Sequence, residues 1–317
     1  MLKVAKEPEP KVEENPTLRD FHSKYEANLI EGHSAKVFKG IRKADGKEVA
    51  ISFVNINSHT KFLSVPGYSK PLPEEVAVML KLREAPECPY VIQMYDWYEM
   101  DNKFILVFEY LRNCDKLWTY IRLRRKLKED KARYLLVQLL RAVKHCLDNG
   151  VLHSSITSNG ILVEKSSLHL KLCDFDYGIL VGSDGYSTTY NGYKHAASPE
   201  DWNVCQLSFL LYEMLNGQEI YPPYCTTSEE FKFYNPFVSR DAFDLIHWGI
   251  GMPEDRPTIH QFLAHDWFKD EGLLDINQYE QPAVYKTFED DWTTKEWRRK
   301  LKALKEKRRT FIKKKGL

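Results

Sequence analysis

Two short stretches of this chain hold the residue types that could do chemistry. One is a run of hydroxyls beside an imidazole, His153-Ser154-Ser155-Ile156-Thr157-Ser158-Asn159-Gly160. The other is a pair of acids, Asp174-Phe175-Asp176. An activated hydroxyl needs a base within hydrogen-bond reach and a third group that orients the base. No such pair with triad roles can be read beside Ser154, Ser155, Thr157 or Ser158, so the run reads as a polar loop rather than a hydrolase nucleophile. The two acids could hold a divalent cation together or form a solvated loop end. Both readings stay open, because no basic neighbour decides between them.

The surrounding pattern says what would position these stretches. Apolar alternation from Tyr25 to Val54, broken by Ala44-Asp45-Gly46, predicts an antiparallel hairpin or meander. A helix should open after Pro73-Glu74-Glu75 and carry Val76 to Leu82. Val91–Tyr95 and Phe104–Phe108 read as strands about an Asp101-Asn102 turn. A long helix is expected from Glu129 to Leu147, with further helices over Asn203–Leu215, Ser239–Trp248 and Ile259–Leu263. Strands first and helices after predict an α+β fold in two lobes. The boundaries expected are an unstructured segment 1–19 and a folded domain 20–270, with lobes at about 20–109 and 113–270. An acidic-aromatic extension 271–293 and a basic, helical tail 294–317 follow.

From Tyr25 to Phe268 the chain resembles a protein kinase, and within that superfamily the Pim branch of the calcium/calmodulin-kinase-like group. The resemblance rests on motifs in the correct order. They are Val91-Ile92-Gln93-Met94-Tyr95-Asp96-Trp97-Tyr98, then Ala142-Val143-Lys144-His145-Cys146 ahead of Gly150-Val151-Leu152-His153. Asp255-Arg256-Pro257-Thr258 and His265-Asp266-Trp267 close the series. It implies the bilobal kinase fold. It also implies a structural role for His153, Phe175 and Met79 in one hydrophobic column, and for Val37, Ala50 and Leu162 around an adenine pocket. Gly32, Glu75, Phe108 and Glu109 complete the nucleotide-side positions, and Glu200 should pair with Arg256.

The chain departs from the family where charge is handled. His153-Ser154-Ser155 stands for H-R-D, putting Ser155 at the catalytic base and Gly160 at the asparagine that ligates a second metal ion. Ser52 replaces the lysine of V-A-I-K, Asp176 replaces the glycine of D-F-G, and one of three loop glycines, Gly32, remains. A hydroxyl is no base near neutral pH, and glycine ligates nothing through a side chain. The expectation is therefore a pseudokinase, not an enzyme, with no cofactor or only weak ATP and magnesium binding through Asp174. It would act as a protein-binding scaffold or allosteric regulator. A nucleotide-gated switch with residual Mg-ATP binding is one alternative. Lys36 and Lys39 flank Val37, and alternation gives Lys39 the inward parity.

Charge is uneven along the chain. The formal net charge is +1, yet Lys295–Lys315 holds twelve Lys/Arg against two acids, leaving about −9 for the remainder. Trp297, Leu301 and Leu304 recur at helical spacing there, with Arg298, Arg299, Lys300, Arg308 and Arg309 as candidate binding residues. That tail fits a protein partner, the chain's own body, nucleic acid or an anionic surface. The nucleic-acid reading, with the folded domain as a platform, is the second alternative. Six scattered cysteines form no CxxC pair, and no apolar run is long enough to span a bilayer. An intracellular protein, cytoplasmic or nuclear, is expected.

Overall fold

The computed structural model describes residues 14–34, 37–181, 198–218 and 238–269. The extension 271–293, the basic tail with Trp297, Arg298, Arg299, Lys300, Arg308 and Arg309, and Cys225 lie outside the described residues. In chain order the first elements are α1 (Leu18–Lys24), β1 (Tyr25–Ser34), β2 (Val37–Arg42), β3 (Glu48–Asn55), β4 (Phe62–Leu63) and β5 (Leu72–Pro73). Next come α2 (Glu74–Glu84), β6 (Met94–Met100), β7 (Lys103–Glu109), β8 (Cys114–Lys116), α3 (Leu117–Arg124), α4 (Glu129–Asp148) and β9 (Val151–Leu152). The last are β10 (Ile161–Glu164), β11 (Leu170–Leu172), β12 (Ile179–Leu180), α5 (Pro199–Asn216), α6 (Arg240–Ile250) and α7 (Ile259–Leu263). They form two compact units. One takes in residues up to Glu87 with Ile92–Arg112 and Phe175–Leu180. The other holds Cys88–Val91, Asn113–Asp174 and Val181 onward.

The first unit is built on an antiparallel sheet of order β1-β2-β3-β7-β6. Its register puts Val49, Ile51, Ile105 and Val107 on one face, where they close a core with Phe21, Tyr25 and Tyr98. Phe21 comes from α1, which starts at a capping box between Thr17 and Asp20. The segment before it is tied to β6, since Glu99 N donates to Pro16 O at 2.7 Å and Asn15 Nδ2 to Glu99 Oε2 at 3.0 Å. Residues 14–19 are thus ordered, unlike the unstructured segment expected over 1–19. The strand expected over Val91–Tyr95 also shifts. Val91 makes only an isolated bridge to Leu172, and β6 begins at Met94.

The second unit is helical around a small sheet of order β11-β10-β8. The centre is α4, whose residues Leu135, Leu136, Leu139, Leu140 and Val143 are all buried. It is tied to the end of the domain by Arg133, whose Nε donates to Trp267 O at 2.6 Å while its guanidinium lies 4.8 Å from the Trp267 ring centroid. Helix α5 starts at Pro199, earlier than the expected Asn203. Ser198 is its N-cap and Asp201 closes a capping box, which sets the start of the helix.

Candidate active site

The loop that carries the hydroxyls is fixed from both ends. His153, 1% exposed, has its Nε2 2.8 Å from Cys173 O, which binds the loop to the residue before Asp174. Ser154 is buried with φ +62°, and its carbonyl accepts from Trp202 Nε1 at 2.9 Å and Gln206 Nε2 at 2.7 Å. Ser158 Oγ donates to the buried Glu213 Oε1 at 2.7 Å. Ser155 is half-buried and Thr157 exposed. A nucleophile would need a base within reach, and two of these hydroxyls are buried inside the fold instead. Trp202, Gln206 and Glu213 were not anticipated from sequence. Their signal was there, because Trp202 and Gln206 fall four apart on one helix face.

Asp174 is exposed and takes a left-handed backbone, φ +64°, at the end of the same segment. Gly160 lies opposite. A Cβ there would stand 3.3 Å from Cys173 O, 3.4 Å from Asp174 Cβ and 3.9 Å from Asp174 Oδ2. A side chain at 160 would therefore point beside the Asp174 carboxylate, as two ligands of one metal ion do. No group of three or more His, Cys, Asp or Glu that could hold a metal occurs among the described residues. The arrangement fits a magnesium ion held by one carboxylate and otherwise by water or phosphate oxygens. Asp176 is also exposed but belongs to the first unit, in a turn where Gly178 N donates to Phe175 O at 2.8 Å.

In the first unit, register fixes what shares a face with Ser52. Val37, Ser52 and Leu106 are paired across β2, β3 and β7, and Lys39, Ala50 and Phe108 follow two positions on. Lys39 has the parity expected of it, but its Nζ is 2.7 Å from Glu48 Oε1, and Arg112 Nε is 2.6 Å from Glu48 Oε2. These two cations hold the Glu48 carboxyl below the usual carboxylate range, Lys39 first. Glu75, expected as a nucleotide-side position, lies in the first turn of α2 and is engaged in an interaction of its own. Glu109 exchanges hydrogen bonds with Gln93. Met79 and Phe175 are buried in this unit, and Leu162 sits half-buried on β10 in the other. Gly32 pairs with Phe38 between register shifts of β1.

The expected pairing of Glu200 with Arg256 is replaced. Arg256 Nη1 is 2.7 Å from Asp201 Oδ1, with side chains 0% and 9% exposed. Glu200 Oε1 instead accepts from Ile259 N at 2.8 Å, at the start of α7. One residue of helical rotation separates the two acids, and Asp201 is the one turned toward Arg256.

With this geometry in place, comparison with known proteins becomes informative. Residues 24–268 match the protein kinase domain family. The chain belongs to that family. It is 29% identical to serine/threonine-protein kinase pim-2 of Danio rerio over 81% of this chain and 88% of that protein. It is 27% identical to serine/threonine-protein kinase prk-2 of Caenorhabditis elegans, over 79% of this chain and 59% of that one. With the carbon catabolite-derepressing protein kinase of Saccharomyces cerevisiae the identity is 26%, over 81% of this chain and 41% of that protein. The bilobal kinase fold and a Pim-like affinity follow.

The same comparison overturns the expectation that the chain is not an enzyme. Its relatives over about four-fifths of its length are named as kinases, which points to an enzyme. Catalysis of phosphoryl transfer is mostly positioning and electrostatic stabilisation shared among several groups. A substituted side chain at one aligned position removes one contribution and does not measure turnover. The expectation of no cofactor is corrected with it, because kinases use ATP and magnesium. No described helix is long and apolar enough to cross a membrane.

Proposed function

We propose that this protein kinase-family chain is a nucleotide-responsive regulator that binds Mg-ATP weakly and recognises protein partners through its folded units. The observation that carries this reading is the exposed Asp174 carboxylate beside Gly160, on a segment fixed by the His153–Cys173 contact. Asp174 would hold the magnesium ion, which supplies charge neutralisation for the phosphates. Among the first unit's own residues, Ser52 offers a phosphate no cation, and Lys39 is committed to Glu48. The affinity is accordingly modest. Phosphorylation of serine or threonine, the activity in the relatives' names, is the reaction to assay. With a hydroxyl at position 155, the rate should be about 10²–10⁴-fold below that of a family member with a carboxylate base.

Thermal unfolding with Mg-ATP, with ATP plus chelator, and with Asp174→Asn tests the reading. Nucleotide at about 100 times its Kd should add about 2.7 kcal/mol of stability. Loss of the shift on chelation and in Asp174→Asn is the expected result; a shift indifferent to both would sink it. The partner is proposed to be a protein, met inside the cell in cytoplasm or nucleus. The charge of the 294–317 tail supports nucleic acid as a second partner class. Salt-sensitive RNA or DNA binding that vanishes on removing 294–317 would favour it.

A further inference from the structure

The turn joining α3 to α4 is a basic platform. Arg122, Arg124, Arg125, Lys126, Lys128 and Lys131 are all exposed, and Leu123 between them is 71% exposed. The two acids in the same stretch do not cancel this charge from outside. Glu129 accepts from Ser239 Oγ and Trp267 Nε1, and Asp130 is half-buried. The platform is also held in shape. Arg122 lies over the Trp118 ring at 4.9 Å and Arg124 over the Tyr120 ring at 3.6 Å. Arg125 has φ +66°, a backbone uncommon for a side chain other than glycine, and Leu127 N donates to Met214 O at 2.7 Å. At Gly217 a Cβ would come within 1.5 Å of Arg125 O, so the turn sits directly on the end of α5. A preformed cationic surface with an apolar centre recognises an acidic segment bearing aromatics more cheaply than a mobile one does.

The chain contains such a segment, and the described residues that precede it end beside the platform. Described residues end at Lys269, two beyond Trp267. Trp267 Nε1 is 2.7 Å from Glu129 Oε2, next to Lys128 and Lys131. Nineteen residues further on comes Phe288-Glu289-Asp290-Asp291-Trp292, three consecutive acids between two aromatics. Nineteen residues span up to about 60 Å. We propose that residues 288–292 dock in cis on the α3–α4 platform, the three carboxylates on its arginines and lysines and an aromatic ring on Leu123. Tethering raises the effective concentration of the segment to the millimolar range, so a weak contact suffices to occupy the site. The contact is reversible, and an acidic partner or polyanion competes for it.

The test uses the full chain and a fluorescent peptide of residues 284–294. The peptide should bind E289Q/D290N/D291N with a salt-sensitive Kd, and bind the unaltered chain at least tenfold more weakly, because its own segment occupies the platform. R122E/R124E/R125E in the same background should lose binding and, having given up two ring contacts, unfold at a slightly lower temperature. K128E/K131E, which leaves those contacts in place, should weaken binding at an unchanged unfolding temperature. Equal binding to the unaltered chain and to E289Q/D290N/D291N would overturn the proposal, as would no binding to either. A single-stranded oligonucleotide that binds both forms equally and needs the three arginines would also overturn it, assigning the platform to a foreign polyanion.

Discussion

Lys39 Nζ lies 2.7 Å from Glu48 Oε1, diagonally across the β2–β3 hairpin and on the same face as Ser52. On the proposed reading as a nucleotide-binding chain, the pair bears on which cation could meet a phosphate. A lysine with the right parity exists, but its charge is spent on a carboxylate that Arg112 also grips.

Supplying the missing cation should therefore help more than freeing Lys39. Ser52→Lys adds a charge-assisted contact worth about 1.5–3 kcal/mol, on the order of ten- to a hundredfold in Mg-ATP Kd. Glu48→Gln should change Kd by less than about threefold, since the pair is still partly open to solvent and ion pairs near the surface are worth little. Isothermal titration of the two variants separates them. Tighter binding in Glu48→Gln than in Ser52→Lys would mean that Lys39 reaches the phosphates.

Ser155→Asp with Gly160→Asn puts back a base and a metal ligand beside Asp174. A Cβ at 160 needs Cys173 O and Asp174 Cβ to yield only a few tenths of an ångström, so the double variant should fold. Phosphoryl transfer measured with radiolabelled ATP should rise by about 10²-fold or more. An unchanged rate would show that these positions do not face the reacting groups.

Arg256→Met takes the cation away from Asp201 where neither side chain meets much water, leaving the carboxylate its capping contact with Ser198. Breaking a buried pair on one side costs about 3–5 kcal/mol. Denaturant unfolding should show that loss, while Glu200→Gln, which still accepts from Ile259 N, should cost less than about 1.5 kcal/mol.

His145 on α4 has its imidazole pKa lowered by burial, with Asp148 opposing the shift. The unfolded chain then takes up a proton first. Stability from this group is present above the unfolded value of about 6.5 and is lost as pH falls toward the folded value. His145→Gln should flatten the slope of unfolding free energy as pH falls below about 6.5. An identical slope in both proteins would assign it elsewhere.

The sequence was most informative where local rules act alone. Helix α7 runs from Ile259 to Leu263 as expected, because Thr258 and Gln261 form a capping box readable in the chain. Ser198 and Asp201 form another that went unread, which is why α5 begins before Asn203. Lys39 could be given its face by parity, but not its partner. Glu48 meets it through hairpin register, which depends on where the turn closes. Arg256 likewise needed the rotation of α5 to choose Asp201 over Glu200. The substitutions at Ser52, Ser155, Gly160 and Asp176 did not measure activity, since catalysis is divided among groups beyond these motifs.

Helix α1 lies almost wholly before the residues that match the kinase family, which begin at 24. Yet Phe21 is 2% exposed, stacks on Tyr25 at a ring-centroid distance of 5.8 Å and meets Tyr98 edge-on at 5.4 Å. A chain cut to the family boundary would uncover the aromatic face of its own sheet, forfeiting about 1.5–3 kcal/mol at Phe21 alone. It would also turn that face into an adhesive surface. The unit that inheritance recognises is thus shorter than the unit that folds.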